Sequence, residues 1–214
     1  MKTGDSMFTL FGADRSGSAA IEMALTLCGA DYRLVGASSQ AAGAGRDELK
    51  CLNPLMQVPT LVIPGGGVLT ESAAILTHLG LAFPLSGLLS QDVHERAQQL
   101  RALAYLSTNC YASIGLIDYP ERWLPDGEPD LLDRLVAGAT RKLHSQWEVF
   151  SDVFDNPVAW HPHAPGAVEV LACVVSHWSG AREHLGRSRP EFYAALGVID
   201  RHPVIHAVLQ RHGW

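Results

Sequence analysis

Residues 53–76 read Asn-Pro-Leu-Met-Gln-Val-Pro-Thr-Leu-Val-Ile-Pro-Gly-Gly-Gly-Val-Leu-Thr-Glu-Ser-Ala-Ala-Ile-Leu. Pro59 stands where an extended apolar run begins, and proline brings no N–H to a ladder, so a sheet tolerates it only at a strand start, an edge or a bulge. Pro64-Gly65-Gly66-Gly67 is a turn composition that returns the chain into Val68-Leu69. Thr70-Glu71-Ser72 then opens an apolar helix over 73–79. The first turn of a helix has N–H groups with no intrahelical acceptor and a partial positive charge, which suits it to anions. Taken as a cap alone, Ser72 or Thr70 merely satisfies one of those donors. The extended segment a dozen residues upstream is what turns the cap into a candidate site.

Working outward, the chain divides near residue 80. Residues 8–11 form a short strand, and 16–29 a helix with Ile21, Ala24, Leu25 and Cys28 on one face. Residues 32–35 form a second strand. A Gly/Ala/Ser/Gln stretch over 36–45 precedes a turn of helix at 47–52. Adding the hairpin and its helix gives strand, helix, strand, helix, strand, strand, helix, an α/β order. Residues 81–91, with Pro84 and Gly87, read as a linker. Only helices follow: 92–117, with Leu103, Leu106, Cys110, Ile114 and Ile117 on one stripe, then 130–154, and shorter ones near 167–179, 190–196 and 203–211. The domains are thus 1–80 and 92–214.

Composition excludes several classes. With 214 residues and 47% hydrophobic content the chain can bury a large core. A net charge of -6 argues against a nucleic-acid surface. No apolar run approaches the roughly 18 residues of a membrane span, and Met-Lys-Thr-Gly-Asp at the start lacks the apolar core of a signal peptide. A cytoplasmic protein without membrane or nucleic-acid partners is expected. Cys28, Cys51, Cys110 and Cys173 are too scattered for a disulfide framework or a zinc ribbon and read as buried or incidental thiols. His161, His163, His202 and His206 have spacings that can hold a metal, but adjacent prolines disturb them and no carboxylate or cysteine completes a set, so no metal site is expected. Arg182, Arg187 and Arg189 read as a solvated loop and helix start.

Gln57-Val58-Pro59-Thr60-Leu61 followed by Thr70-Glu71-Ser72-Ala73-Ala74-Ile75-Leu76 resembles the glutathione-binding signature of the cytosolic glutathione S-transferase family, and a weaker resemblance runs over nearly all of the chain. It implies a thioredoxin-like first domain, an all-α second domain, glutathione as co-substrate and a homodimer. It further implies that Pro59 follows a cis peptide bond, and that Val58, flanked by Gln57 and Pro59, lends its N–H and C=O to the cysteinyl part of glutathione. Ser72 and the helix start would take the glutamyl carboxylate, and Glu71 the ammonium. The implied activity is conjugation of the thiolate to a small hydrophobic electrophile. Glutathione-dependent isomerisation, and a weakly catalytic binding or scaffold dimer, are the alternatives.

Thiol activation is the chemistry to place, and its candidates lie in Gly12-Ala13-Asp14-Arg15-Ser16-Gly17-Ser18. Laid against bacterial members of the family, Ser16 falls on a position that commonly carries serine. Ala13 falls where thiol-exchanging members have cysteine, which disfavours a redox mechanism. A hydroxyl donating to a thiolate contributes roughly 1.5–3 kcal/mol, enough to move a thiol from about 8.5 to near 7. Ser16 is therefore the catalytic candidate, Ser18 the second, and a helix cap remains the structural alternative for both. Asp14 would raise the thiol's pKa, and Arg15 would offset it.

For the electrophile, Tyr105, Asn109, Tyr111 and Trp123 lie along or just after the long helix, with Asn109 and Tyr111 the preferred pocket residues. Tyr111 falls near a position that holds histidine in beta-like members. The family's helix-capping box, usually Ser/Thr-x-x-Asp, is present only as Gly166-Ala167-Val168-Glu169, which lacks the capping side chain.

Overall fold

Alternation along the first strand builds the two faces of the sheet. In the computed structural model, which describes residues 7–37 and 43–214, β1 (Phe8–Gly12) sends Phe8 and Leu10 into the main core. Phe11 points the other way, into a small cluster with Ala37 and Leu49. Strand β1 pairs in parallel with β2 (Tyr32–Gly36) and antiparallel with β3 (Thr60–Val62), and β3 pairs antiparallel with β4 (Val68–Leu69). The order is β2-β1-β3-β4. Helices α1 (Ser18–Leu27) and α3 (Ser72–Ala82) cover the main-core face, and α2 (Ala44–Leu52) covers the other through Leu49. This is a thioredoxin-like sheet. The middle of the expected 36–45 loop and the first six residues lie outside the described residues.

The helical half follows in α4 (Val93–Tyr105), α5 (Ala112–Asp118), α6 (Pro129–Phe154), α7 (Ala167–Ser176), α8 (Ala181–Ser188), α9 (Pro190–Asp200) and α10 (Pro203–Arg211). Asp92 caps α4, its carboxylate accepting from the N–H groups of His94 and Glu95 at 2.8 and 2.9 Å. The single helix expected over 92–117 is instead interrupted by a π-helical turn at Leu106–Tyr111. A π turn carries extra chain per turn and so resets which side chains share a face, a device that favours functional sites. Helix α8 was not expected at all.

Every residue of α7 is buried, as befits a helix apolar on all sides. Its missing capping serine has a steric explanation: a Cβ at Gly166 would lie 2.8 Å from the Leu88 carbonyl oxygen and 2.9 Å from that of Gly87. Residues 87 and 88, within the segment read as a linker, pass directly over the helix start, where Ala167 N–H donates to Leu88 O at 2.9 Å. The acidic half of the box persists. Glu169 accepts from the N–H groups of Gly166 (2.9 Å) and His161 (2.6 Å), and burial pushes its carboxyl above the usual range.

Helix α1 is tied to the far end of the chain. Glu22, only 1% exposed, accepts from Arg211 Nε at 2.9 Å and pairs with His212 Nε2 at 2.9 Å. Burial alone would raise its pKa, but the bonds from His212 and Arg211 outweigh burial and hold it below the usual carboxylate value. Among the described residues no helix is long and apolar enough to cross a membrane.

Candidate active site

A cleft of about 800 Å³ opens between the sheet domain and the helices. Its floor is the turn from β1 into α1. Ser16 lines the cleft, half-buried, while Ser18 is only 2% exposed beneath it. The Ser16 hydroxyl donates to Ala13 O at 2.7 Å and lies 2.8 Å from Ser18 Oγ. Ser18 in turn reaches the same carbonyl at 3.2 Å and accepts from Ala13 N–H at 3.3 Å. The two serines therefore play different parts: Ser18 is packed into the turn, and Ser16 presents an oxygen to the opening. Asp14 and Arg15 are exposed on the rim.

The next wall is the loop into β3. Val58–Pro59 is cis, as the resemblance implies, and Gln57, Val58 and Pro59 all line the cleft. Among the described backbone hydrogen bonds outside regular elements, none uses Val58. Buried Asn53 holds this loop. Its amide donates to Gln57 O at 3.1 Å and Thr60 Oγ1 at 3.0 Å, its oxygen accepts from Leu55 N–H at 3.0 Å, and Thr60 Oγ1 donates to Gln57 O at 2.8 Å. Asn53 and Thr60 are site-building residues that the sequence reading did not single out; the Asn53-Pro54 dipeptide, a turn signal, was the available clue.

Glu71 and Ser72 also line the cleft, at the start of α3. Glu71 has φ 64 and ψ 111, a conformation that L-residues avoid. Arg15 and Met56, likewise non-glycine, have φ 53 and 55, and both line the same cleft. Such residues cost roughly 1–3 kcal/mol each and cluster at ligand sites. Of the four such non-glycine positions among the described residues, these three border one opening, and only Ser179 lies elsewhere.

The helical wall departs further from expectation. Tyr111, Ile114, Asp118, Tyr119, Arg122 and Trp178 line it. Asn109 does not. Within the π turn its amide folds back to donate to Tyr105 O at 3.2 Å and Thr108 Oγ1 at 3.1 Å. Tyr105 packs against Phe150 and Phe154 and donates to Gln146 O at 3.0 Å, and Trp123 is 64% exposed away from the cleft. Arg122 lies over the Tyr119 ring at 3.7 Å. Burial raises the pKa of Asp118.

None of the cysteines lines the cleft. Burial pushes Cys110 up to about 12 and raises Cys28 and Cys173, so these stay thiols rather than nucleophilic thiolates near neutral pH. Cys173, His177 and Asp200 each bring one donor atom within 4.8 Å of the others, a grouping that the sequence spacing did not reveal. Asp200, however, is gripped by both terminal nitrogens of Arg182, whose Nε donates to Ser176 Oγ at 2.8 Å. Arg182 is thus not solvated, contrary to the sequence reading; folding α8 against α9 buries it in an ion pair. Arg189 pairs with Asp152 at 2.7 and 2.8 Å, and both this pair and Arg187–Glu183 lie exposed at the surface, as the sequence reading expects.

A thioredoxin-like sheet, a cis-proline loop and a helical half closing over one cleft define a class of two-part proteins. Residues 6–80 match the family described as Glutathione S-transferase, N-terminal domain. The chain is 30% identical over 213 residues to the Uncharacterized GST-like protein YncG of Escherichia coli (strain K12), covering 96% of this chain and 98% of that one. It is 29% identical over 122 residues to Glutathione S-transferase Z1 of Arabidopsis thaliana, 56% of this chain and 55% of that one. Among solved structures it superposes on a glutathione transferase homologue from sulfitobacter with bound glutathione at TM-score 0.82 and 18% identity, over 97% and 99% of the two chains. A sphingomonad glutathione S-transferase complexed with glutathione gives TM-score 0.75 at 23% identity, over 96% and 98%. These structural likenesses speak for the fold. The chain belongs to the glutathione S-transferase family.

Proposed function

We propose that this protein is a glutathione transferase that binds the tripeptide, stabilises its thiolate through Ser16 and conjugates it to a small hydrophobic electrophile. The observation that carries the reading is the convergence on one cleft of the Val58 main chain, the start of α3 with Ser72, and the Ser16 hydroxyl. Val58 would pair with the cysteinyl backbone, flanked by Gln57 and Pro59. Ser72 and the helix start would take the glutamyl carboxylate, and Glu71 the ammonium. Those contacts would aim the sulfur at the floor, where proximity to the electrophile contributes alongside activation. Ser16 now donates to Ala13 O at 2.7 Å, and Ser18 reaches the same carbonyl at 3.2 Å. Ser18 can therefore satisfy Ala13 when the Ser16 proton turns to the thiolate. The sulfur then attacks the electrophilic carbon, the C–S bond forms, and the displaced group leaves with its electron pair.

Ser16→Ala tests this: turnover with a standard aryl halide should fall about tenfold to a hundredfold, the loss of one hydrogen bond to a charged group, while glutathione affinity changes little. Equal loss in both, or none, removes Ser16 from the role. One observation favours a second reading, a glutathione-binding protein with little catalysis: the Ser16 proton is already engaged by a carbonyl. Calorimetric binding without turnover across a broad electrophile panel would select it. The homodimer belongs to the same proposal, with the shallow apolar groove between α3 and α4, lined by Ala73, Thr77, Leu81 and Leu100, as the face to be buried. A monomer in light scattering at micromolar concentration would remove it.

A further inference from the structure

Tyr111 was placed on the electrophile side by its sequence position, but its hydroxyl lies on the other side of the cleft. The ring packs edge-on against Trp178, with centroids 5.5 Å apart, and carries the oxygen across the domain boundary to Gly17. A Cβ on Gly17 would meet Tyr111 Oη at 2.2 Å, with Pro59 Cδ and Ser72 Oγ each 3.4 Å from the same point. Glycine at 17 thus leaves the space that the phenol fills. The phenol oxygen is buried and has no hydrogen bond of ordinary length and angle, the Ser72 hydroxyl beside it standing outside that geometry. An unmade bond at a buried polar atom costs about 1–3 kcal/mol, and among the described residues only a handful of side-chain atoms share that condition. Burial pushes the phenol's pKa far up, with the Ser72 side chain pulling the other way and the Glu71 charge adding to the rise. The group is therefore a neutral donor near neutral pH.

We infer that Tyr111 is a glutathione-binding residue: its hydroxyl, standing beside Ser72 at the start of α3, completes the subsite for the α-carboxylate of the glutamyl residue. This rests on the glutathione reading above and extends it. Through Tyr111 the helical domain contributes a polar contact to a subsite otherwise built from the sheet domain, so occupancy by the tripeptide draws the two together. The π turn is the structural cause, because it ends on Tyr111 and sets the direction in which that side chain leaves the helix.

The test is a calorimetric comparison of wild type and Tyr111→Phe with two peptides: glutathione, and γ-aminobutyryl-cysteinyl-glycine, which lacks only the glutamyl α-carboxylate. The variant should bind glutathione roughly ten- to a hundredfold more weakly and bind the analogue within about twofold of wild type. Equal losses for both peptides would make Tyr111 a packing residue and overturn the assignment, as would unchanged affinity for glutathione. Gly17→Ala, which forces the phenol from its place, provides an independent variant with the same expected selectivity for the carboxylate. Wild-type protein that binds neither peptide would overturn the glutathione reading itself, whereas wild-type binding with an indifferent Tyr111→Phe overturns only the role of Tyr111.

Discussion

The two walls of the cleft are made of different material. On the sheet side the residues that line the cleft include short hydroxyl and loop residues, among them Ser16, Val58 and, at the start of α3, Ser72. Each is set by neighbours a few residues away, as Asn53 sets Gln57 and Thr60. On the helical side the lining is long side chains, among them Tyr111, Tyr119, Arg122 and Trp178, delivered by separate helices. Main-chain sites tolerate little variation because they are specified by backbone conformation, and three strained non-glycine residues border this one. A side-chain wall can be changed residue by residue without disturbing the backbone beneath it. On the function proposed above, the first wall would serve the constant ligand, glutathione, and the second the variable electrophile.

The contrast can be broken hardest where the sheet side is anchored. Glu22→Ala strips the carboxylate from between Arg211 and His212, leaves those donors unpaired and releases α1, whose start adjoins the turn that holds Ser16. We expect a loss of about 3 kcal/mol in chemical denaturation, the low end for a broken buried pair, because Arg211 is half exposed. The sign of the pH dependence follows from the lowered pKa of Glu22. Its contribution is present above the ordinary glutamate value of about 4.3 and lost as pH falls through the lower folded value. Thermal unfolding of wild type below that pH should show an acid-sensitive component that Glu22→Ala lacks. A variant as stable as wild type, with the same acid limb, would show that α1 is held by packing alone.

Asn53→Ala strikes the sheet wall directly. Losing the bonds to Gln57 O and Thr60 Oγ1 should cost about 2 kcal/mol of stability and weaken glutathione binding in calorimetry, since the Val58 groups lose their fixed position. Normal affinity in this variant would mean that the cleft does not depend on that loop. The smallest effect is expected on the opposite wall. Arg122→Ala removes an exposed side chain stacked on Tyr119, so melting should stay within about 0.5 kcal/mol and glutathione affinity should not move. What should change, by a few fold, is kcat/KM between anionic and neutral electrophiles. If glutathione affinity dropped instead, the division between a constant and a variable wall would fail.

Local sequence carried the sheet wall well. Gln57, Val58, Pro59, Glu71, Ser72 and Ser16 are nominated from three short stretches, and all six line one cleft. The helical wall was far less legible. Asn109 and Tyr111 are two positions apart in one helix, yet the π turn sends one back along its own backbone and the other into the domain junction. Apolar spacing reports the buried face of a regular helix, and an inserted π turn leaves that stripe of Leu106, Cys110 and Ile114 intact while changing what its neighbours reach. Arg182 was misread for a related reason. Its partner Asp200 lies on another helix, and no local pattern announces the pairing.

By itself the sequence determined the α/β order of the first half, the helical second half and the backbone-built part of the cleft, because turns, caps and alternation act over a few residues. The tertiary structure alone decided that Gly166 makes room for the chain at residues 87 and 88, that Glu22 meets Arg211 and His212, and that Gly17 makes room for the hydroxyl of Tyr111. Each of those is a contact between segments distant in the chain, fixed by how elements pack rather than by what any one of them prefers.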